Sequence, residues 1–167
     1  KQLPDQYIHR DGAGAERRTS KRDKTFLIQG GLYNMTIGLI AHDAKKKLMQ
    51  NFCIAYRGIL NKHSLYATGT TGRLIEEATT LTVNKFLEGS LGGAQQFASQ
   101  IENNSMDLVF YFRDPNEVSP TNTRRVQTVL HLCDIYSIPL ATNLATAELL
   151  IRSLDSGDLE WREAYRS

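Results

Sequence analysis

Short apolar runs alternate with amphipathic segments along most of this chain, and no other feature restricts its fold as strongly. Each run has the length and the continuous apolar character of a strand buried on both faces, and the segments between the runs repeat apolar residues at helical spacing. This pattern predicts an α/β fold with a mostly parallel sheet flanked by helices. The predicted strands are Thr36–Ala41, Ser64–Ala67, Val83–Leu87, Leu108–Phe112 and Ile138–Ala141.

Length and charge divide the chain into a basic N-terminal extension and one domain. The 167 residues are enough for one ordinary domain. Residues 1–34 hold seven Lys and Arg against four Asp and Glu, and Phe26–Ile28 within them can dock as a short strand. We expect residues 35–167 to form the domain. The formal net charge of +2 gives no indication of a nucleic-acid partner.

The cysteines and the lack of long apolar runs favour a cytoplasmic location. Cys53 and Cys133 each fall on the apolar side of a predicted helix, where cysteine usually acts as a small hydrophobic residue. No run approaches the roughly 18 apolar residues of a membrane span, and the first residues lack the apolar core of a signal peptide. We therefore expect no membrane partner.

The stretch Tyr66–Gly72 has the layout of a phosphate-binding turn between a strand and a helix. Three threonines and two glycines follow the apolar run, and apolar residues at helical spacing begin at Leu74. Unpaired N–H groups at a helix N-terminus bind anions, threonine hydroxyls add donors, and glycine allows a close approach. The stretch matches neither a nucleotide P-loop nor a dinucleotide fingerprint. We expect neither a cofactor nor a metal. The alternative, that Thr70 or Thr71 only caps the helix, stays open.

Polar residues also follow the other predicted strands. In a parallel sheet, ligands bind beyond the carboxyl ends of the strands, so these residues predict a site for a small anion at one edge. The alternative is that they only form tight crossover turns. The polar strand ends are His42-Asp43, Thr68–Gly72, Gly89–Gly93, Arg113-Asp114 and Thr142-Asn143.

These motifs resemble the methylglyoxal synthase family, over roughly Met35 to Arg166. The resemblance implies a three-layer α/β sandwich with about five strands, a homohexamer, and dihydroxyacetone phosphate as the substrate. The matching blocks are Ile40–Asp43 with Lys46, Ala55–Arg57, Leu65–Gly72, Leu91–Gly93 with Gln95-Gln96, Arg113–Pro115, Leu132–Asn143 and Trp161-Arg162.

The resemblance also assigns residues to the site. His42 and Asp43 match positions close to the substrate, and Arg162, with Arg166 as the alternative, matches a C-terminal phosphate-binding arginine. The positions that match the family's remaining phosphate contacts are Lys46, Thr68, Thr70, Thr71 and Gly89.

The sequence departs from the family where the family's acid and base groups stand. The family reads G-G-D-Q-Q and uses that Asp as its base, whereas this chain has Ala94. The family's P-H-x-P-D segment is replaced by a longer loop, so that Thr121 or Asn122 takes the place of the His and Arg124 or Arg125 that of the Asp.

Three functions remain open after this comparison. The chain can be a divergent enzyme that uses Asp43 as its base, or a domain that binds a small phosphorylated metabolite without converting it. The same fold serves, by resemblance, as the effector-binding domain of carbamoyl phosphate synthetase. A third reading is a non-catalytic subunit that assembles with an active relative.

Overall fold

The fold is a five-stranded parallel sheet, described in a computed structural model over residues 34–165. The strand order is β3-β2-β1-β4-β5, and every pairing is parallel. The chain moves outward from β1 in one direction and then restarts at β4 on its other side, so the order reverses between β1 and β4. Ligands of such sheets bind at this reversal, beyond the carboxyl ends of the strands. The strands are Thr36–Ala41 (β1), Ser64–Ala67 (β2), Val83–Lys85 (β3), Leu108–Phe112 (β4) and Leu140–Ala141 (β5).

Helices cover both faces of the sheet, which confirms the predicted three-layer α/β architecture. Short 3-10 turns lie at Asp43–Lys45, Gly89–Leu91 and Glu160–Tyr165. The α-helices of the described residues are Lys46–Ala55 (α1), Arg57–Leu60 (α2), Gly69–Ala78 (α3), Gly93–Glu102 (α4), Pro120–Tyr136 (α5) and Leu144–Asp155 (α6).

Alternate residues of the central strands point into two separate apolar layers. Leu108 and Phe110 of β4 belong to a cluster that includes buried residues of α1, α3 and α6. Val109 and Tyr111 of the same strand belong to a second cluster with α4 and α5. This alternation is the period of two that a strand imposes, and it gives the sheet an apolar surface on each face. Both cysteines are buried, one in each layer, as predicted.

The structure corrects the prediction that Pro120 and the five residues after it form a loop. These residues are the first turns of α5, with Pro120 at the first helical position. The Ser119 hydroxyl accepts a hydrogen bond from the Asn122 backbone N–H at 3.4 Å, and proline fits a position whose own N–H would be unpaired. The segment that replaces the family's P-H-x-P-D residues is therefore helical.

The remaining differences are small. Helix α3 begins at Gly69 after Thr68, so neither Thr70 nor Thr71 is its cap residue. The basic extension lies almost wholly outside the described residues, including Phe26–Ile28, and its boundary stays a prediction. None of the helices in the part of the chain that the structure describes is long and apolar enough to span a lipid bilayer.

Candidate active site

A cavity of about 660 Å³ opens at the carboxyl edge of the sheet, at the reversal between β1 and β4. Its volume lies within the range of small-molecule pockets. The first group of lining residues comes from β1, the segments after β1 and β2, and the starts of α1 and α3: Ile40, Ala41, His42, Asp43, Lys46, Thr68 and Thr70. The second comes from the segment around α4: Glu88, Gly89, Ser90, Ala94, Gln95, Phe97 and Ala98. The third comes from β4 and α5: Tyr111, Thr121, Asn122, Arg124, Arg125, Thr128 and Val129.

The N-terminus of α3 forms one end of this cavity. Thr68 precedes the helix in an extended conformation and its side chain makes no capping bond, which leaves its hydroxyl available to a ligand. Thr70 lies in the first turn and also lines the cavity. The first N–H groups of an α-helix lack intrahelical partners and carry partial positive charge. This end of the cavity therefore suits a phosphate group.

Lys46 is held at the same end by three contacts. Its ammonium group donates to the carbonyl oxygen of Ala41 at 2.8 Å and to the Thr71 hydroxyl at 3.4 Å, and lies 3.3 Å from an Asp43 carboxylate oxygen. Thr71 is only 1% exposed and does not line the cavity. Of the predicted phosphate residues, Thr71 thus lies behind Lys46, where it helps to hold the cation.

His42 presents a buried N–H donor at the edge of the cavity. Its Nδ1 accepts a hydrogen bond from the backbone N–H of Asp114 at 2.9 Å. Burial lowers the pKa of His42 below its usual value, although the nearby charges of Glu117 and Asp114 oppose that shift. The neutral ring that accepts at Nδ1 carries its proton on Nε2. That atom is buried and has no hydrogen-bond partner in residues 34–165. Such an unpaired donor is costly, and a ligand oxygen would satisfy it.

A glycine turn brings Ala94 to the cavity. Gly92 has a φ of 106°, in the left-handed region, and a Cβ on Gly93 would clash with the backbone carbonyl of Leu87. The turn thus requires glycine at both positions. Ala94 follows in the first turn of α4 and lines the cavity with a methyl group, which can neither accept nor donate a proton.

Two carboxylates line the cavity, and both are already engaged. Asp43, whose side chain is fully exposed, pairs with Lys46. Glu88 accepts a hydrogen bond from Arg73 at 2.7 Å, and this bond holds the pKa of Glu88 below its usual value. The lowered pKa of Glu88 makes it a poorer proton acceptor near neutral pH, and the Asp43 carboxylate is held by the Lys46 ammonium.

The first turns of α5 close the opposite side. The Asn122 side chain donates to a Glu117 carboxylate oxygen at 2.9 Å and accepts from Arg125 at 3.1 Å. Arg124 is exposed and Arg125 is half-buried at the cavity wall. The sequence indicated these residues as replacements, but their helical placement could only have been found from the Ser119-Pro120 start signal.

Arg162 does not lie in this cavity. It is 3% exposed, and its guanidinium pairs with the buried carboxylate of Asp107 at 3.4 Å and donates to the carbonyl oxygens of Ser137 and Met106. Asp107 immediately precedes β4, so this cluster lies at the amino edge of the sheet. Within one chain, the arginine expected to bind phosphate stabilises the opposite edge. Its alternative, Arg166, lies outside the described residues.

Other polar strand ends also have structural roles. The Asn143 side chain accepts from the backbone N–H of Thr146 and so caps α6.

Within residues 34–165, no three His, Cys, Asp or Glu side chains are grouped closely enough to bind a metal ion. Sequence inspection missed Tyr111, which lines the cavity and whose pKa burial raises to about 12.

The class of protein follows from comparison with known families and structures. Residues 50–142 match the family model described as MGS-like domain. The solved structure of methylglyoxal synthase from Elizabethkingia anophelis is 37% identical to this chain, with a TM-score of 0.67 over 73% of this chain and 81% of the other.

Curated relatives agree with that assignment. A methylglyoxal synthase from Caldicellulosiruptor saccharolyticus is 60% identical over 129 residues, which cover 77% of this chain and 91% of the relative. One from Thermoanaerobacterium thermosaccharolyticum is 54% identical over 135 residues, which cover 81% of this chain and the whole relative. The chain belongs to the methylglyoxal synthase family.

Proposed function

We propose that this chain binds dihydroxyacetone phosphate, or a similar small phosphorylated metabolite, and converts it weakly or not at all. The family reaction is a carbon–oxygen lyase reaction that yields methylglyoxal and inorganic phosphate. Binding is supported by the end of the cavity where Thr68, Thr70 and the N-terminus of α3 lie near the ammonium of Lys46. The nearby Nε2–H of His42 supplies a further donor for a substrate oxygen.

The reaction has a chemical requirement beyond binding. A base removes a proton from the carbon next to the carbonyl, donors stabilise the enediolate oxygen, and the enediolate then expels phosphate. Lys46 and the α3 N-terminus suit the departing phosphate, and His42 suits the developing oxyanion. These groups cover binding and charge stabilisation, so the proton acceptor decides whether the cavity is catalytic.

The observation that carries the proposal is the methyl group of Ala94 in the cavity wall. The family's base position therefore offers no proton acceptor, and the lining carboxylates Asp43 and Glu88 are each ion-paired. A positioned general base contributes about 10²- to 10⁴-fold to a rate. Its loss raises the barrier by roughly 3–5.5 kcal/mol.

A second candidate function is catalysis with Asp43 as the base. The observation that favours it is that Asp43 lines the cavity beside Lys46, at the start of α1. An exposed carboxylate on a short 3-10 turn can swing toward a bound substrate. In this case Asp43→Asn abolishes turnover, whereas in a binding domain it changes affinity only.

Assembly and location complete the proposal. By analogy with the family, we expect a homohexamer in the cytoplasm, either alone or beside an active relative. Size-exclusion chromatography with light scattering gives the number of subunits. Mixing with an active family member and re-measuring its turnover tests the mixed assembly.

The deciding experiment is an assay of methylglyoxal and phosphate release from dihydroxyacetone phosphate, with binding measured in parallel.

Inorganic phosphate at 100 times its dissociation constant should add about 2.7 kcal/mol to the free energy of unfolding. Lys46→Ala with Thr70→Ala should abolish that gain. Lys62→Ala, at an exposed pair with Asp155, is the control and should retain it. An unchanged gain in the double variant would place the phosphate elsewhere.

A further inference from the structure

The cavity carries a second set of cations on the side away from Lys46. Arg124 and Arg125 both line it, in the first turns of α5. Neither guanidinium forms an ion pair with a carboxylate of the described residues, whereas Lys46 and the nearby Arg73 each do. A cavity wall with two uncompensated guanidinium groups is a binding surface for an anion.

Arg125 is oriented by its neighbours without being neutralised. Asn122 accepts from it at 3.1 Å and donates with its amide nitrogen to Glu117 at 2.9 Å, so an amide stands between the two charges. Burial keeps the Tyr111 pKa at about 12, which makes its phenol a neutral group at pH 7 and not a counter-ion. Arg125 therefore retains donors for a ligand.

Ala94 also affects the charge of the cavity. It lines the same cavity as both arginines, and its methyl group adds no negative charge. A carboxylate at this position would pair with the arginines or repel a second anionic group on a ligand. The two lining carboxylates that are present are engaged by Lys46 and Arg73.

We propose that the ligand is a small phosphorylated carboxylic acid. Its phosphate binds at the N-terminus of α3 beside Lys46, and its carboxylate binds Arg124 and Arg125, whose planar groups match a carboxylate with paired hydrogen bonds. This proposal rests on the proposed phosphate site and adds the chemistry of the other end of the ligand. A ketone phosphate, which has no carboxylate, is then the weaker ligand.

The test compares 3-phosphoglycerate with glycerol 3-phosphate by calorimetry, since the two probes differ in a carboxylate against a hydroxymethyl group. We expect 3-phosphoglycerate to bind at least about tenfold more tightly, as charge-assisted hydrogen bonds predict. The Arg124→Gln/Arg125→Gln variant should reduce that ratio below about threefold, because it removes the donors to the carboxylate and keeps the phosphate contacts at α3.

Two further variants make the result specific. Arg57→Gln removes the same charge at an exposed arginine that contacts Thr80, near the amino edge of the sheet, and should keep the full ratio. The Arg124→Lys/Arg125→Lys variant keeps both charges but lacks the planar fork of the guanidinium, so it should retain an intermediate ratio. It provides the comparison if the Gln variant does not fold.

Equal affinities for the two probes in the unaltered chain would overturn the proposal, as would a ratio that survives in the Gln variant. Failure of both probes to bind would instead overturn the phosphate site. The two failures are therefore distinguishable.

Discussion

The backbone N–H of Asp114 donates to Nδ1 of His42 at 2.9 Å, and this bond joins the carboxyl ends of the adjacent strands β1 and β4. It fixes the ring nitrogen that accepts, so the proton stands on Nε2, which is buried without a partner in the described part of the chain. One backbone bond therefore decides what His42 can offer a ligand.

One substitution at His42 separates its roles as a hydrogen-bond acceptor and as a donor. In His42→Asn, the side-chain oxygen can replace Nδ1 as the acceptor, while the Nε2–H donor is lost. We expect this variant to keep nearly the full free energy of unfolding and to bind inorganic phosphate or glycerol 3-phosphate about tenfold more weakly, the value of a hydrogen bond to a charged group. Calorimetry and denaturant unfolding measure the two effects. Unchanged affinity for both probes would remove His42 from the ligand site.

Arg162 should prove to be a stability residue. Arg162→Ala removes the ion pair with the fully buried Asp107, and breaking a buried pair in this way costs about 3–5 kcal/mol of unfolding free energy. Arg152→Ala, at an exposed pair with Glu148, should cost under about 0.5 kcal/mol. Urea unfolding gives both values. If Arg162→Ala weakens phosphate binding without loss of stability, the guanidinium reaches a phosphate, and its contact with Asp107 is secondary.

Stability should fall as the pH drops below 6.5, because burial lowers the pKa of both His42 and His63 from that value. Below pH 6.5 the two histidines of the unfolded chain bind protons that those of the folded chain do not. Their stabilisation is therefore complete above pH 6.5 and is lost as the pH falls toward the pKa values of the folded state. Each histidine contributes a slope of at most about 1.4 kcal/mol per pH unit. His63→Gln should reduce this slope, and His131→Gln, at an exposed position, should not. Equal slopes in the two variants would contradict the assignment.

The sequence predicted the inner strands better than the edge strands, and the sheet explains why. The bounds of β1, β2 and β4 match the apolar runs because these strands are paired on both sides. The edge strands β3 and β5 are shorter than predicted. Ile138 donates its N–H to Cys133 at the end of α5 instead of joining the sheet, and Pro139 has no N–H to donate.

The placement of the candidate site residues could be predicted where local sequence determines it, and could not where tertiary contacts do. The turn after β2 and the position of Lys46 follow from local order along the chain. The position of Arg162 could not be predicted from the sequence, since its motif resembles a phosphate contact but its partner Asp107 lies 55 residues away. The position of Arg125 could not be predicted either, because the polar start of α5 has no apolar periodicity before Val126.

The prediction that decides the function concerns Ala94. We expect turnover of dihydroxyacetone phosphate at least about 10²-fold below that of an intact family site, the minimum value of a positioned base. Product assays with a relative from the same family measure the ratio. Wild-type turnover near the ~10 s⁻¹ median of enzymes would contradict this expectation, and loss of that turnover in Asp43→Asn would then identify Asp43 as the base.

Restoring the base alone should not restore the enzyme. In Ala94→Asp the new carboxylate shares the cavity with Arg124 and Arg125, and an ion pair would lower its pKa and its basicity. The segment that begins α5 would still lack the family's His and Asp, so the developing oxyanion would have the Nε2–H of His42 but not the family's second donor. Combining Ala94→Asp with a Pro-His-x-Pro-Asp segment in place of residues 120–125 should recover the most activity. The two changes should be strongly non-additive, because base and oxyanion donor act in one step. Full activity from Ala94→Asp by itself would show that the arginines do not reach the carboxylate, and additive gains would show that the two groups act independently.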